Sequence, residues 1–362
     1  MLLALAITVP VEQHNRSNST TTSPPQVTDG RALRYYILGD YGELNQSAVS
    51  QPIQIVAQHM SNLSLTDPID FLVTTGDNIY SSDMKDLFDL RHYDLMYSVF
   101  NTHGLSGKPW LPVYGSQNCG NPQSVWQASE AYPMWNMPGA YYNMTLELDG
   151  NQTVAMVFLD GCTLSCERIG TEALPSFCEA YDYTESAIEK QYQWLASVLE
   201  DAQSANWILV HTYIPPFSAG SGDNEALKVH LLPLLQTNQV DVLFTGHEQL
   251  MQYFYIPEYQ PYVSVPSSHY NCTSNPSYLQ FSPQDYVTLK KGSGLQEVVV
   301  GSSGHPVDQL CPDRVTEMAE LVFGSTTFGF AQVEVASARV TVTYYSAEGS
   351  QAEALFTVTL TP

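Results

Sequence analysis

The sequence predicts an α/β fold in a single domain, and three observations carry that reading. From Tyr35 to Phe244, short apolar runs of strand type alternate with stretches of helical periodicity. After Gly292 the pattern becomes all-β. No internal repeat and no shift in composition divides the 362 residues, of which 44% are hydrophobic, so one large core is the simplest arrangement.

The elements follow in order. Residues 1–31 combine an apolar start, Met1 to Val9, with a Ser/Thr/Asn/Pro-rich leader; the apolar run resembles the hydrophobic part of a signal peptide without its basic flank. The folded domain is expected over 32–362. Its strands are Tyr35–Leu38, Phe71–Thr75, Trp110–Tyr114, Val154–Leu159, Trp207–Val210 and Val240–Phe244. Between the first two lies a helix with Pro52 near its start and Ile53, Val56 and Met60 on one face. A second helix spans about Thr184 to Ala202, with Ile188, Tyr192, Leu195 and Leu199 as its apolar stripe. A third is expected to start on Asp223 as N-cap, carry Leu227, Leu231 and Leu234, and kink at Pro233. Closing strands are expected at Glu297–Val300, Ala331–Val335, Arg339–Tyr345 and Ala354–Leu360.

Charge and cysteine usage narrow the setting. With 37 acidic against 13 basic residues the net charge is −24, which argues against nucleic acid and anionic membrane surfaces as partners. No stretch reaches the about 18 apolar residues that span a bilayer. Asn-x-Ser/Thr acceptors at Asn15, Asn18, Asn45, Asn62, Asn143, Asn151 and Asn271 are dense for one chain and predict N-glycans. The six cysteines form no CxxC pair, so disulfides are expected rather than a zinc ribbon. Among several connectivities we expect Cys272–Cys311 and Cys166–Cys178, leaving Cys119–Cys162. Together these features predict a secreted or surface glycoprotein.

In open α/β sheets ligands gather beyond the carboxyl ends of the strands. The first strand leads into Gly39-Asp40-Tyr41-Gly42, the second into Gly76-Asp77-Asn78-Ile79-Tyr80, the third into Gly115-Ser116-Gln117-Asn118. Trp207–Val210 leads into His211-Thr212-Tyr213, and Val240–Phe244 into Thr245-Gly246-His247-Glu248-Gln249. Two carboxylates on one edge repel unless a cation lies between them, and carboxylate, phenolate and imidazole suit a hard or borderline metal. The same residues also suit local roles. Asp40 and Asp77 can cap their turns through backbone N–H groups, Tyr80 can be core, and His247 can be a hydrogen-bonded strand-end residue.

The ordered set GDYG, GDNIY, GSQN, the strand leading to Tyr213, and GHEQ resembles the purple acid phosphatase branch of the calcineurin-like metallophosphoesterases. The stretches IDFLVTTGDNIY, HLLPLLQTNQVDVLFTGHEQLMQYF and GSGLQEVVVGSSGHP resemble the small tartrate-resistant acid phosphatases, and the resemblance runs from about Ala32 to the end. It implies a four-layer α/β/β/α sandwich holding two metals. By position the first metal would take Asp40, Asp77, Tyr80 and Gln249, where the family has His in the last place. The second would take Asp77, Ser116, Tyr213 and His247, where the family has Asn and His at Ser116 and Tyr213. The acid-supplying histidines of the family fall at Gln117 and near Gly222. The resemblance therefore implies a degenerate centre with no assured catalytic residue, holding at most one metal ion (iron, zinc, manganese or calcium). His211, two residues before Tyr213 and so on the same strand face, and Asn118 are the neighbours that could substitute.

The chain also carries an insertion, Ile256 to Lys290, relative to these enzymes. It holds Tyr259, Tyr262, Tyr270, Tyr278 and Tyr286 and few charges, a composition that suits contacts with a protein partner or a second copy; a disulfide-pinned flap over the site is the alternative. Two functions remain. One is a catalytically silent scaffold, anchor or assembly subunit, for which the glideosome anchor protein of apicomplexan parasites is a family precedent. The other is a phosphomonoesterase working with one metal on Asp40, Asp77, Tyr80 and a water.

Overall fold

The structure, a computed structural model, describes residues 32–42, 44–45, 48–49, 51–78, 94–119, 134–167, 178, 184–257, 272, 276, 278–280, 282, 284–304, 308–312 and 318–362. In chain order the first strands are β1 (Leu33–Leu38), β2 (Leu44–Asn45), β3 (Ala48–Val49), β4 (Phe71–Thr74), β5 (Trp110–Pro112), β6 (Tyr142–Leu148), β7 (Gln152–Phe158), β8 (Trp207–His211) and β9 (Val242–Thr245). The rest are β10 (Met251–Ile256), β11 (Tyr278–Gln280), β12 (Tyr286–Lys290), β13 (Leu295–Val300), β14 (Glu320–Ser325), β15 (Gly329–Ala336), β16 (Arg339–Ser346) and β17 (Glu353–Thr361). One sheet has the order β12-β17-β16-β15-β1-β4-β5, the other β11-β14-β10-β13-β9-β8-β7-β6; β2 and β3 form a small hairpin. This is the mixed α/β, two-sheet architecture expected.

The parallel segments sit where the site is. β1, β4 and β5 are parallel neighbours, and so are β7, β8, β9 and β13. The pairing extends outward through antiparallel strands, such as β15 on β1 and β10 on β13. The two sheets meet through aromatic side chains. Tyr35 of β1 stacks on Phe71 and lies edge-on to Phe244 of β9; Phe323 of β14 stacks on Phe356 of β17 at 5.0 Å. Such pairs add to the apolar burial that holds the layers together.

Helix α1 (Gln51–Thr66) buries Ile53, Val56 and Met60, as its periodicity predicts. The short helices α2 (Ser116–Cys119) and α3 (Gly161–Ser165) follow β5 and β7. Helix α4 (Glu185–Asp201) starts on Thr184, whose hydroxyl accepts from Ala187 N, and buries Ile188, Gln191, Leu195 and Leu199. Gln191 replaces Tyr192 in the buried stripe because its side chain grips the Asp160 backbone, donating to its carbonyl and accepting from its N–H. The third predicted helix differs in two ways. Its cap is Asn224, whose carbonyl oxygens accept from Leu227 N and Lys228 N, whereas Asp223 pairs with the Lys228 ammonium at 3.0 Å. Pro233 lies in the first turn of α5 (Leu232–Thr237), following a π-helical turn over Leu227–Leu231, so the expected kink becomes a junction.

The cysteines pair as Cys119–Cys162, Cys166–Cys178 and Cys272–Cys311. The described part of the insertion forms β11 and β12, one at the edge of each sheet. Three strands separate each of them from the nearest strand that feeds the site, β9 or β1. These strands line the far edges of the sandwich, and residues 258–271, with Tyr259, Tyr262, Tyr270 and Asn271, lie outside the described residues.

Candidate metal centre

The turns that leave β1, β4, β5, β8 and β9 interlock through their backbones. Asp40 N donates to Gly76 O, Gly42 N to Asp77 O, and Gly246 N to Tyr213 O at 2.8 Å. Asp40, Asp77 and His247 hold left-handed backbone, with φ of 52°, 46° and 66°. That conformation is strained for residues other than glycine, and Asp and His are among the types that tolerate it best. Gly76 (φ 106°) and Gly115 permit the close approach: a Cβ on Gly76 would lie 2.3 Å from the Tyr213 ring, and one on Gly115 would lie 1.9 Å from Asp77 N.

Asp77 is the centre of the polar network. Its Oδ1 accepts from Gln117 N at 2.9 Å, and its Oδ2 accepts from the Tyr213 hydroxyl at 2.7 Å and from the Ser116 hydroxyl at 3.1 Å. The Tyr213 hydroxyl also lies 3.0 Å from Ser116 Oγ and 2.9 Å from His247 Nδ1. The phenol has one proton, and Asp77 takes it. The Nδ1–H of His247 must then donate to the phenol oxygen. Burial raises the Asp77 carboxyl above the ordinary aspartate range, against the lowering pull of Gln117 N–H, Tyr213, His247 and Ser116. Asp40 is buried as well, and its Oδ2 accepts from His247 N at 2.8 Å.

Six predicted site residues therefore meet here: Asp40, Asp77, Ser116, Gln117, Tyr213 and His247. The backbone of Gln249 is tied to Asp308, with Gln249 N donating to Asp308 Oδ2 at 3.0 Å. Gly222, at φ 102°, faces open space in the turn after Ser221. Tyr80 and the side chain of Asn118 lie outside the described residues. His211 is no substitute ligand. It is fully buried between Phe158 and Phe244, stacked at 4.7 and 4.9 Å, and burial pushes its pKa down to about 3. The strand alternation that put it beside Tyr213 fails because β8 ends at His211. Glu248 was not anticipated: it is buried, and its carboxylate accepts from Ser221 N at 2.8 Å and from the Ser221 hydroxyl, holding the loop that carries Gly222. Its place inside the GHEQ turn was the available signal.

A sequence profile of the calcineurin-like phosphoesterases matches residues 33–251. The chain belongs to the calcineurin-like phosphoesterase family. Human tartrate-resistant acid phosphatase type 5 is 26% identical over 331 residues, covering 90% of this chain and 91% of the human protein. Purple acid phosphatase 3 of Arabidopsis thaliana is 25% identical over 236 residues, covering 63% of this chain and 60% of the plant protein. Among solved structures, GAP50, the anchor in the inner membrane complex of Plasmodium, superposes with a TM-score of 0.66 at 18% identity, covering 90% of this chain and 89% of that one. The yellow lupin purple acid phosphatase PPD1 gives 0.61 at 16% identity, with 93% and 55% covered.

The family depends on metal, and the donor set of this calcineurin-like phosphoesterase does not fit a second ion. A bridging carboxylate must turn lone pairs toward its metals, whereas the Tyr213 and Ser116 hydroxyls take both lone pairs of Asp77 Oδ2 and Gln117 N–H takes one on Oδ1. The position of the second histidine ligand holds a phenol whose proton is aimed at that carboxylate. Among the described residues no three His, Cys, Asp or Glu side chains gather as a metal-binding group.

Proposed function

We propose that this calcineurin-like phosphoesterase is a glycoprotein of the secretory pathway that no longer hydrolyses phosphoesters and acts as a scaffold, anchor or assembly subunit. The observation that carries the proposal is the Asp77 carboxylate, engaged by Gln117, Tyr213 and Ser116 where an active centre needs it for metal. Three disulfides support an oxidising compartment. Asn62, Asn143 and Asn151 are exposed, as acceptors of N-glycans must be. The use of this fold as an anchor in GAP50 of Plasmodium is the precedent we extend to this chain. Tyr278 and Tyr286, 41% and 52% exposed on the edge strands β11 and β12, are the contact residues we assign to a protein partner or a second copy.

A phosphomonoesterase working with one metal is the second reading. It draws on Asp40 and Asp77, which keep the strained backbone of a ligand-presenting turn. A phosphatase assay on the purified protein, from acidic to neutral pH with iron, zinc or manganese added, separates the two. The scaffold reading expects no turnover above that of Asp77→Ala. Metal-dependent turnover that Asp77→Ala abolishes would establish the enzyme instead.

A further inference from the structure

We infer that the Tyr213 hydroxyl has taken the place of a metal ion as the group that joins Asp77 to His247 beside Ser116, and that this side chain is what closes the second metal position. The inference rests on the degenerate-centre reading above, but not on the loss of turnover.

The phenol oxygen lies 2.7 Å from Asp77 Oδ2, 3.0 Å from Ser116 Oγ and 2.9 Å from His247 Nδ1, so one atom contacts the other three positions of the second-metal set. Those partners need different things. Asp77 is buried and needs a donor, while the imidazole N–H needs an acceptor. A metal cation satisfies a carboxylate and a neutral imidazole by charge and by accepting their lone pairs. A phenol meets the same pair without charge, because its single oxygen both donates and accepts. A histidine or asparagine at position 213 has no one atom that does both.

The ring is built in. Tyr213 is 1% exposed, its edge meets the His247 ring at 5.0 Å, and Gly76 and Gly161 leave the space beside it: a Cβ on Gly161 would lie 3.2 Å from Tyr213 Cβ. The Cys119–Cys162 disulfide joins α2, which begins at Ser116, to α3, which packs on Tyr213 through Gly161. Ser116 and Tyr213 are thus fixed relative to each other from behind.

Exchanging the two departing residues should then reopen the position. The test compares the full-length protein with Tyr213→His/Ser116→Asn, each incubated with zinc, desalted and analysed for bound metal, with Asp77→Asn in the same background as control. The inference expects no Asp77-dependent zinc in the wild type. It expects one zinc per chain in the double variant, lost when Asp77→Asn is added. Zinc bound by the wild type through Asp77, or a folded double variant that binds none, would overturn it.

A second readout needs no rebuilt site. Nitrogen-15 NMR of the wild-type histidines should find the His247 proton on Nδ1, and Tyr213→Phe should abolish that hydrogen-bonded signal. A wild-type His247 unprotonated at Nδ1, or a signal indifferent to Tyr213→Phe, would refute the inference whatever the double variant does. The two proposals fail separately. Turnover by a wild type that binds no zinc through Asp77 sinks only the scaffold reading. Asp77-bound zinc without turnover sinks only the role given to Tyr213.

Discussion

His211 and Tyr213, two residues apart, show how differently one strand end uses its polar side chains. Tyr213 uses its hydroxyl twice, donating to Asp77 and accepting from His247, with Ser116 Oγ 3.0 Å away. Tyr213→Phe leaves Asp77 buried with one donor fewer, and should lower stability by about 1–3 kcal/mol in chemical denaturation. His211 is instead held neutral between two phenylalanines. Its folded pKa, about 3, lies below the ordinary 6.5, so its contribution is full above pH 6.5 and is lost as pH falls toward 3. His211→Phe keeps the stacking and removes the titration. It should gain about 2 kcal/mol over wild type at pH 5 relative to the difference at pH 7. Equal stability differences at both pH values would contradict the burial argument. Glu297 carries the opposite sign. Fully buried, with one carboxylate oxygen unpartnered, it is raised well above its ordinary 4.5 by burial, with Asp223 and Glu248 adding to the shift against the Phe217 N–H. Its contribution is full below pH 4.5 and fades as pH rises. Glu297→Gln should flatten the fall in stability on the alkaline side, measured as melting temperature against pH.

At the scale of elements, the strands that feed the site were legible and the edges were not. β1, β4, β5 and β9 combine apolar runs with abrupt Gly-containing turns, and β8 ends in a Thr-Tyr turn, because parallel strands are buried on both faces and must end where the ligand groups begin. β12, Tyr-Val-Thr-Leu-Lys, alternates exposed with half-buried positions and reads as a polar loop until β17 is beside it. β6, β10 and β14 were missed too, since each gains its strand character from its neighbours. That His247, Tyr213, Ser116 and Asp77 share one hydroxyl was beyond reach. Their strand-end positions are legible in the sequence, whereas a shared hydrogen bond depends on distances that only the folded sheets set. Two predictions belong here. Tyr278→Ser/Tyr286→Ser should weaken association in light scattering while leaving the melting temperature nearly unchanged. Replacing the whole insertion by a Gly-Ser turn should also destabilise the domain, because β11 and β12 pair with β14 and β17, and Val287 and Leu289 pack on the core. Full association after both changes would move the interface elsewhere.

For the whole molecule, a net charge of −24 makes copies repel except where uncharged surface, sugar or bridging cations intervene. The disulfides offset the strain of so acidic a chain. Cys119–Cys162 and Cys272–Cys311 join residues 43 and 39 apart, and a loop of that size gives about 4 kcal/mol each by chain entropy. A secreted form should show no titratable thiol and lose mass on deglycosylation, with sugar on Asn62, Asn143 and Asn151 in glycopeptide maps. An unmodified mass with reactive cysteines would place the chain in a reducing compartment. The central claim, that hydrogen bonds rather than metals hold the strand ends together, is tested most directly by anomalous diffraction from crystals grown with zinc or iron. The account predicts no anomalous peak within bonding distance of Asp77, and the Tyr213 oxygen between Asp77 and His247. Two peaks about 3.5–4 Å apart, bridged by the Asp77 carboxylate, would contradict it.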